Sequence, residues 1–328
     1  MIDVRELERF GLFSGLSEEA RAEALAAFRA YELGDGEILL EEGESDRGMV
    51  IILDGDVSVS LAGVELERLG AGDTAGEMTL FGTFDRRSAT VTTLGGVKLL
   101  ALDEAGIRFL RRQENPVVRE LEVRVLRIIG RRLRDMNARI GQYADGEVDA
   151  PPRRGSLFSR IANALGVSGD LPSEDPPPAV EVLSRAPGFM GREPAALATI
   201  ASRLEMVVAA KGENITEAGR RAEDAFMVAE GRVAVLTNVG GGRVERVAVL
   251  GPGQMFGHLA LADDQGRSAT CRALDPTYLL RIPGALYRTY EREDSEEARV
   301  FRRALIDALS IQLRLANEHL VTLTKRGA

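Results

Sequence analysis

Residues 34–61 read GDGEILLEEGESDRGMVIILDGDVSVSL, and residues 210–237 read AKGENITEAGRRAEDAFMVAEGRVAVLT. Laid side by side, Gly36, Gly43 and Gly55 fall on Gly212, Gly219 and Gly231, all at an offset of 176. Farther along, Gly72 and Gly76 meet Gly253 and Gly257 at 181, and the string RSAT recurs at 87–90 and 267–270, an offset of 180. Asn137 and Asn317 keep that last offset. A register that drifts by so little over this length marks a duplicated module with small loop insertions. The 328-residue length suits two domains of ordinary size.

Each copy has one grammar. A helical lead-in (3–29; 180–203) precedes short aliphatic and β-branched runs, MVIIL, VSVSL and VKLLAL in the first copy and AFMVA, VAVLT and TYLLRI in the second. Glycine-rich turns separate these runs, the spacing of a sandwich or barrel. A long helix then closes each copy. Asn115 and Pro116 supply an N-cap and first-turn pair, and Val118, Leu121, Val125, Ile129, Leu133, Met136 and Ile140 form one apolar stripe. In the second copy Asp294 or Ser295 opens a helix carrying Phe301, Leu305, Leu309, Gln312, Ala316 and Leu320. Arg124, Arg127, Arg131, Arg132, Arg134 and Arg139 share the first long helix with acidic residues and read as a solvated face.

The expected division is therefore 1–142 and 180–328, joined by a Pro- and Arg-rich linker at 143–179 that carries a short amphipathic helix, SLFSRIANAL, at 156–165. Composition narrows the function. Forty-two basic against 51 acidic residues leave a net charge of −9, which disfavours sequence-independent binding to nucleic acid or anionic lipid. A single cysteine, Cys271, excludes an intrachain disulfide, and two histidines far apart, His258 and His319, leave little for metal chemistry. Cys271 itself reads as a small buried strand residue. No nucleophile–base pair is evident, so no catalytic residue, metal or cofactor is expected. The charged start MIDVRELERF has no apolar core of a secretory signal, and no stretch is long and apolar enough for a membrane span, so a cytoplasmic location is expected.

The informative stretch is AGEMTLFGTFDRRSATV at 75–91, with its copy FGHLALADDQGRSATC at 256–271. It resembles the phosphate-binding cassette of cyclic nucleotide-binding domains, F-G-E, an aliphatic pair, a short loop, then R-x-A-[ST]-V. The upstream G-E-x-x-x-x-x-G turn, the I-x-x-G-x-V-x-V strand pair and the R-L-x-x-x-N ending of the first closing helix are similar to the same family. The family is that of the catabolite activator protein and the regulatory subunits of the cyclic-nucleotide-dependent protein kinase. The resemblance covers nearly the whole chain twice. It implies a mainly β fold, two jelly-roll β-rolls, each flanked by helices and closed by a long one.

The resemblance also implies a ligand site in each copy. In the first, Arg87 would hold the cyclic phosphate, helped by backbone amides around Gly76, Glu77 and Met78, and Glu77 would accept from the ribose 2′-hydroxyl. A guanidinium fork and a helix start suit a phosphate. Ser88 could add a hydroxyl and Asn137 reach the base edge. The second copy offers Gly257, His258, Leu259, Arg267, Ser268 and Asn317, with His258 where the family has glutamate. Losing that charged acceptor should cost roughly 1.5–3 kcal/mol of affinity. The first copy departs more mildly, with Ala75 for the usual Phe and Thr79 for a small apolar residue. Binding is therefore expected mainly in the first copy.

What this implies is a cyclic nucleotide sensor, with cAMP favoured because Ser88 beside the arginine resembles bacterial cAMP binders, signalling through helix reorientation to an unidentified protein partner. A ligand-free scaffold built from degenerate modules is the rival. A kinase regulatory subunit is the third reading: Arg153, Arg154, Ser156 and Leu157 fit R-R-x-S-Φ, although Ser156 as a helix N-cap explains them equally well. The long helices are candidate homodimer or inter-domain contacts. No winged helix fits in 143–179, and only eleven residues follow Asn317, so direct DNA binding is not expected.

Overall fold

A computed structural model of the chain describes residues 13, 16–143, 175–238, 244–263 and 265–327. The helix expected at 156–165, together with Ser156, lies outside the described residues. The first repeat opens with α1 (Glu18–Ala27), whose N-cap Ser17 accepts the Ala20 amide at 3.1 Å. There follow β1 (Arg29–Leu33), β2 (Ile38–Leu40), β3 (Gly48–Leu61), β4 (Val64–Leu69), β5 (Thr74–Ala75), α2 (Glu77–Phe81) and β6 (Thr90–Asp103). Then come α3 (Glu104–Arg112) and the long α4 (Val117–Tyr143). All strand pairs are antiparallel, in the order β1-β6-β3-β4, with β2 on β6 and β5 on β3.

The organising element is the β3–β6 pair. Each strand has 14 residues, and they pair from Gly48↔Asp103 to Ser60↔Thr90. Register slips at Ile52/Asp54 and Asp54/Asp56, beside Gly55, which has φ +84°. A Cβ there would stand 2.3 Å from the Gly96 carbonyl, so the bend needs glycine. Bulges of this kind turn a long flat hairpin into one that curls. Val50, Ile52, Val57 and Val59 from β3 then face Val91, Val97 and Leu99 from β6 across one core.

The second repeat is preceded by α5 (Ala179–Arg185) and α6 (Pro194–Ala201) and makes the same path in shorter pieces. These are β7 (Glu205–Ala209), β8 (Asn214–Thr216), β9 (Asp224–Glu230), β10 (Val233–Asn238), β11 (Val244–Leu250), β12 (Met255–Phe256), α7 (Leu259–Ala262), β13 (Thr270–Ala273) and β14 (Thr277–Pro283). They form two four-stranded sheets, β11-β10-β13-β8 and β12-β9-β14-β7. The break between β9 and β10 falls at Gly231, φ +95°, the copy of Gly55. Phe226, Val228, Val233, Phe256, Cys271 and Leu279 bring both sheets to one core, with Phe226 and Phe256 stacked at 5.4 Å. Burial pushes the Cys271 thiol up to about 11, so it is an unreactive core residue, as its sequence context suggested. α8 (Gly284–Arg292) and α9 (Glu296–Gly327) end the chain. The expected jelly-roll architecture, mainly antiparallel β with flanking helices, is what the chain adopts.

Both long helices start where their caps are. Asn115 accepts the Val117 amide at 3.0 Å while its amide group donates to the Ala20 carbonyl and the Glu23 carboxylate. Ser295, not Asp294, caps α9, accepting from Ala298 at 3.3 Å. The α4 stripe from Val118 to Ile140 is buried throughout. The arginine face is less solvated than its composition suggests: Arg124 donates to the Gly72 carbonyl at 2.6 Å, Arg127 pairs with Glu291, and Arg134 grips Asp263 through two bonds of 2.6 and 3.0 Å. The chain divides into two compact units, Met1–Val125 with Asn317–Ala328, and Leu126–Ala316. The divisions fall inside α4 and inside α9.

Asn115→Ala removes the cap together with one buried and one half-buried bond, so it should destabilise the protein by about 1–3 kcal/mol in denaturant unfolding. Asn115→Asp keeps the cap but sets a carboxylate against Glu23, and its loss should be intermediate.

Candidate functional site

The first cassette is built around a glycine. β5 ends at Ala75, and Gly76, in the left-handed region at φ +83°, turns the chain into α2. A Cβ on Gly76 would lie 2.5 Å from Arg87 Nη1 and 2.6 Å from the Gly48 carbonyl oxygen, so the arginine can approach only because the side chain is absent. Arg87 is held in register by backbone pairing across the roll, its amide donating to Glu44 at 2.8 Å and its carbonyl accepting from Gly43 at 3.0 Å. From there its side chain runs inward and is buried.

Four groups receive the guanidinium. Nη1 donates to the Gly48 carbonyl at 2.6 Å, the Thr79 hydroxyl at 2.7 Å and the Gly76 carbonyl at 3.2 Å. Nε and Nη2 both donate to Asp46, at 2.9 and 2.5 Å. The guanidinium beside Asp46 holds that carboxyl below the usual carboxylate range, although the aspartate is more than half exposed. Arg47, next in the chain, donates to the Thr79 and Gly82 carbonyls and so closes the far end of α2. Glu77 and Met78 follow Gly76 into the interior. Ser88 is half-buried, its hydroxyl 3.9 Å from the Met78 sulfur.

The second cassette repeats the backbone and changes the charges. Gly257 has φ +77°, and a Cβ there would come 2.5 Å from Arg267 Nη1. Arg267 makes the same backbone pairings, with Arg220 and Gly219 at 2.8 Å each. Its side chain donates to the Gly257 carbonyl at 2.8 Å and the Asp224 carbonyl at 2.6 Å, the counterparts of Gly76 and Gly48. The counterpart of Asp46 is Ala222. Among the described residues no carboxylate pairs with Arg267, and burial lowers its pKa. His258 is 1% exposed, both ring nitrogens lack a hydrogen-bond partner among the described residues, and burial, reinforced by Arg267, holds it neutral with a pKa of about 4. Leu259 is buried beside it, and Ser268 is half-buried.

The structure thus brings Gly76, Glu77, Met78, Arg87 and Ser88 together on one cassette, and Gly257, His258, Leu259, Arg267 and Ser268 on the other. The two asparagines stand otherwise. Asn137 is exposed on the part of α4 that belongs to the Leu126–Ala316 unit, and Asn317 is buried in the other unit, so neither shares a unit with its own cassette. Sequence reasoning passed over Asp46 and the hydroxyl of Thr79 as partners of Arg87. The signal for Asp46 was present: at offset 176 the aspartate faces an alanine while its flanking glycines are kept.

Among the described residues there is no cluster of three or more His, Cys, Asp or Glu side chains placed to hold a metal, and no helix long and apolar enough to cross a membrane. The model of the cyclic nucleotide-binding domain family matches residues 31–114 and 206–292, one region in each compact unit. The CRP-like cAMP-activated global transcriptional regulator of Mycobacterium tuberculosis is 24% identical over 143 residues, 44% of this chain and 62% of that protein. A cyclic nucleotide-gated potassium channel of Mesorhizobium japonicum is 29% identical over 127 residues, 39% of this chain and 34% of the channel. The chain therefore spans less than two thirds of these relatives. The regulatory domain of Toxoplasma gondii PKA with cAMP is 18% identical, covering 88% of this chain and 93% of its own, at a TM-score of 0.31.

His258 gives the second cassette a pH signature. Its folded pKa of about 4 lies below the ordinary 6.5, so the unfolded chain takes up the proton first. Its contribution is complete above the unfolded value and is lost as the pH falls toward the folded one, at up to about 1.4 kcal/mol per pH unit. Denaturant midpoints at about pH 7.5 and about pH 5 should therefore differ more for the wild type than for His258→Leu. Equal pH slopes would mean that the imidazole titrates freely.

Proposed function

The chain belongs to the cyclic nucleotide-binding domain family, and on that premise we propose that it is a cyclic nucleotide sensor, with cAMP the favoured ligand, acting through a protein partner. One observation carries the reading. In both repeats the arginine of R-S-A-T folds inward onto the carbonyl of the left-handed glycine that opens the cassette helix, at 3.2 Å in the first and 2.8 Å in the second. A cation fixed at that turn is placed for a monoanionic phosphate. Cyclic AMP is favoured by Ser88 beside Arg87 and by a relative that is cAMP-activated.

The repeats divide the binding chemistry unequally. The first keeps the carboxylate, Glu77, for the ribose hydroxyl, but Asp46 already neutralises its arginine. The second has an arginine without an acidic partner, but a neutral imidazole in place of the carboxylate. A carboxylate accepts a hydroxyl more strongly than an imidazole does, and only the first cassette pairs it with a seated arginine, so we assign the stronger site to the first repeat. Ligand there favours one arrangement of α4 over another, by no more than its differential affinity for the two states. The scaffold reading keeps one observation in its favour: the protein's own acceptors already occupy most of the Arg87 donors.

A thermal-shift titration of the full chain with cAMP and cGMP separates these readings. Ligand at a hundred times Kd should add about 2.7 kcal/mol of stability. Arg87→Ala should remove most of that gain, Glu77→Gln should weaken binding by about tenfold to a hundredfold, and Arg267→Ala should leave the tighter event in place. A flat response to both nucleotides at millimolar concentration assigns the chain to the scaffold class.

A further inference from the structure

Away from Arg267 and His258, the Leu126–Ala316 unit contains a cavity of about 490 Å³ that shares the end of the second cassette's helix and the loop after it. Its walls come from the second half of α4, the loop before β9, the end of α7 and the face of α8. Neither Arg267 nor His258 lines it. Four arginines do, Arg127, Arg131, Arg221 and Arg288, against two carboxylates, Asp263 and Glu291. Both carboxylates are already engaged, Asp263 by Arg134 and Glu291 by Arg127. Arg131, Arg221 and Arg288 make no ion pair among the described residues, so the cavity carries a surplus of positive charge on three separate elements.

A second feature of the lining is an unmet buried donor. Tyr287 lines the cavity, is only 2% exposed, and its hydroxyl is buried with no hydrogen-bond partner among the described residues. An orphaned buried hydroxyl is costly unless something meets it. Burial pushes the phenol far up, so it stays protonated and can donate. The ring is held edge-on against Phe301, with centroids 6.4 Å apart, so the hydroxyl is presented by a fixed side chain. Leu261 and Ala262 supply an apolar part of the lining.

We propose that this cavity is a further ligand site, distinct from the two cassette arginines, for a nucleoside polyphosphate. Guanidinium forks converging from different elements suit a group with several phosphate oxygens better than a cyclic monoanion. The volume is that of a small-molecule site and exceeds what a bare phosphate needs. The apolar wall and the flat guanidinium faces offer a base something to stack on. This assignment does not depend on either cassette binding a cyclic nucleotide.

Calorimetry on the full chain with ADP, and separately with inorganic pyrophosphate and cAMP, tests it. ADP should bind one site with a submillimolar Kd, more tightly than pyrophosphate. The Arg131→Ala/Arg288→Ala double variant should weaken ADP by at least about tenfold, and Tyr287→Phe by about threefold to tenfold. Arg87→Ala and Arg267→Ala should each leave ADP binding within about twofold, with Arg87→Ala alone removing the tighter cAMP event. Tyr287→Phe deletes one oxygen atom and decides the matter if the double variant does not fold. The proposal is overturned if ADP shows no saturable binding, if Tyr287→Phe and the double variant bind it as the wild type does, or if a cassette arginine is what ADP requires. Pyrophosphate binding as tightly as ADP would overturn the nucleoside part and leave an anion site.

Discussion

A guanidinium inside a β-roll has to be met by acceptors on every side, and in this protein the backbone itself provides them. Arg87 lies on the carbonyls of Gly48 and Gly76, and Arg267 on those of Asp224 and Gly257. Those carbonyls are available because a glycine in the left-handed region starts the cassette helix and leaves no Cβ in the arginine's path. The bent strand pair, the turn glycine and the arginine are thus one mechanical unit. In the first repeat the three together bury the charge, and in the second they hold it half-buried.

Duplication has let the two copies balance that charge differently. In the first, an aspartate and a threonine hydroxyl complete the shell around Arg87, so the buried charge is compensated inside the protein. In the second, Ala222 stands at the aspartate's place and Arg267 has backbone acceptors alone, while the adjacent carboxylate has become an imidazole that burial keeps neutral. The same backbone therefore carries a neutral pair plus a carboxylate in one copy and an uncompensated cation plus a neutral ring in the other. The two cassettes thus share one backbone and differ in net charge.

The closing helices add a level that duplication alone does not provide. α4 begins in one compact unit and continues in the other, and α9 does the reverse. In α4 the apolar stripe is buried along its length, and its second half also supplies arginines that bind Asp263 and Glu291 and frame the cavity beside Tyr287.

The sequence by itself determined the modular fold. The glycines paired between the copies specify turns in the left-handed region, the aliphatic and β-branched runs of β3 and β6 specify strands, and Asn115 with Pro116 specifies where α4 starts. These are local constraints, set by φ angles, side-chain period and capping, so they can be read from the chain in order. The cassette arginines were legible for the same reason, since each opens an RSAT string that follows a turn glycine in both copies. The repeat marks Asp46 as a position where the copies differ, but that it answers Arg87 across forty-one positions is decided by the roll's closure. The state of His258, the different unit taken by each asparagine, the engaged arginines of α4 and the cavity at Tyr287 also waited for the tertiary structure. Each depends on which surfaces exclude water together, and that is settled by packing between distant segments.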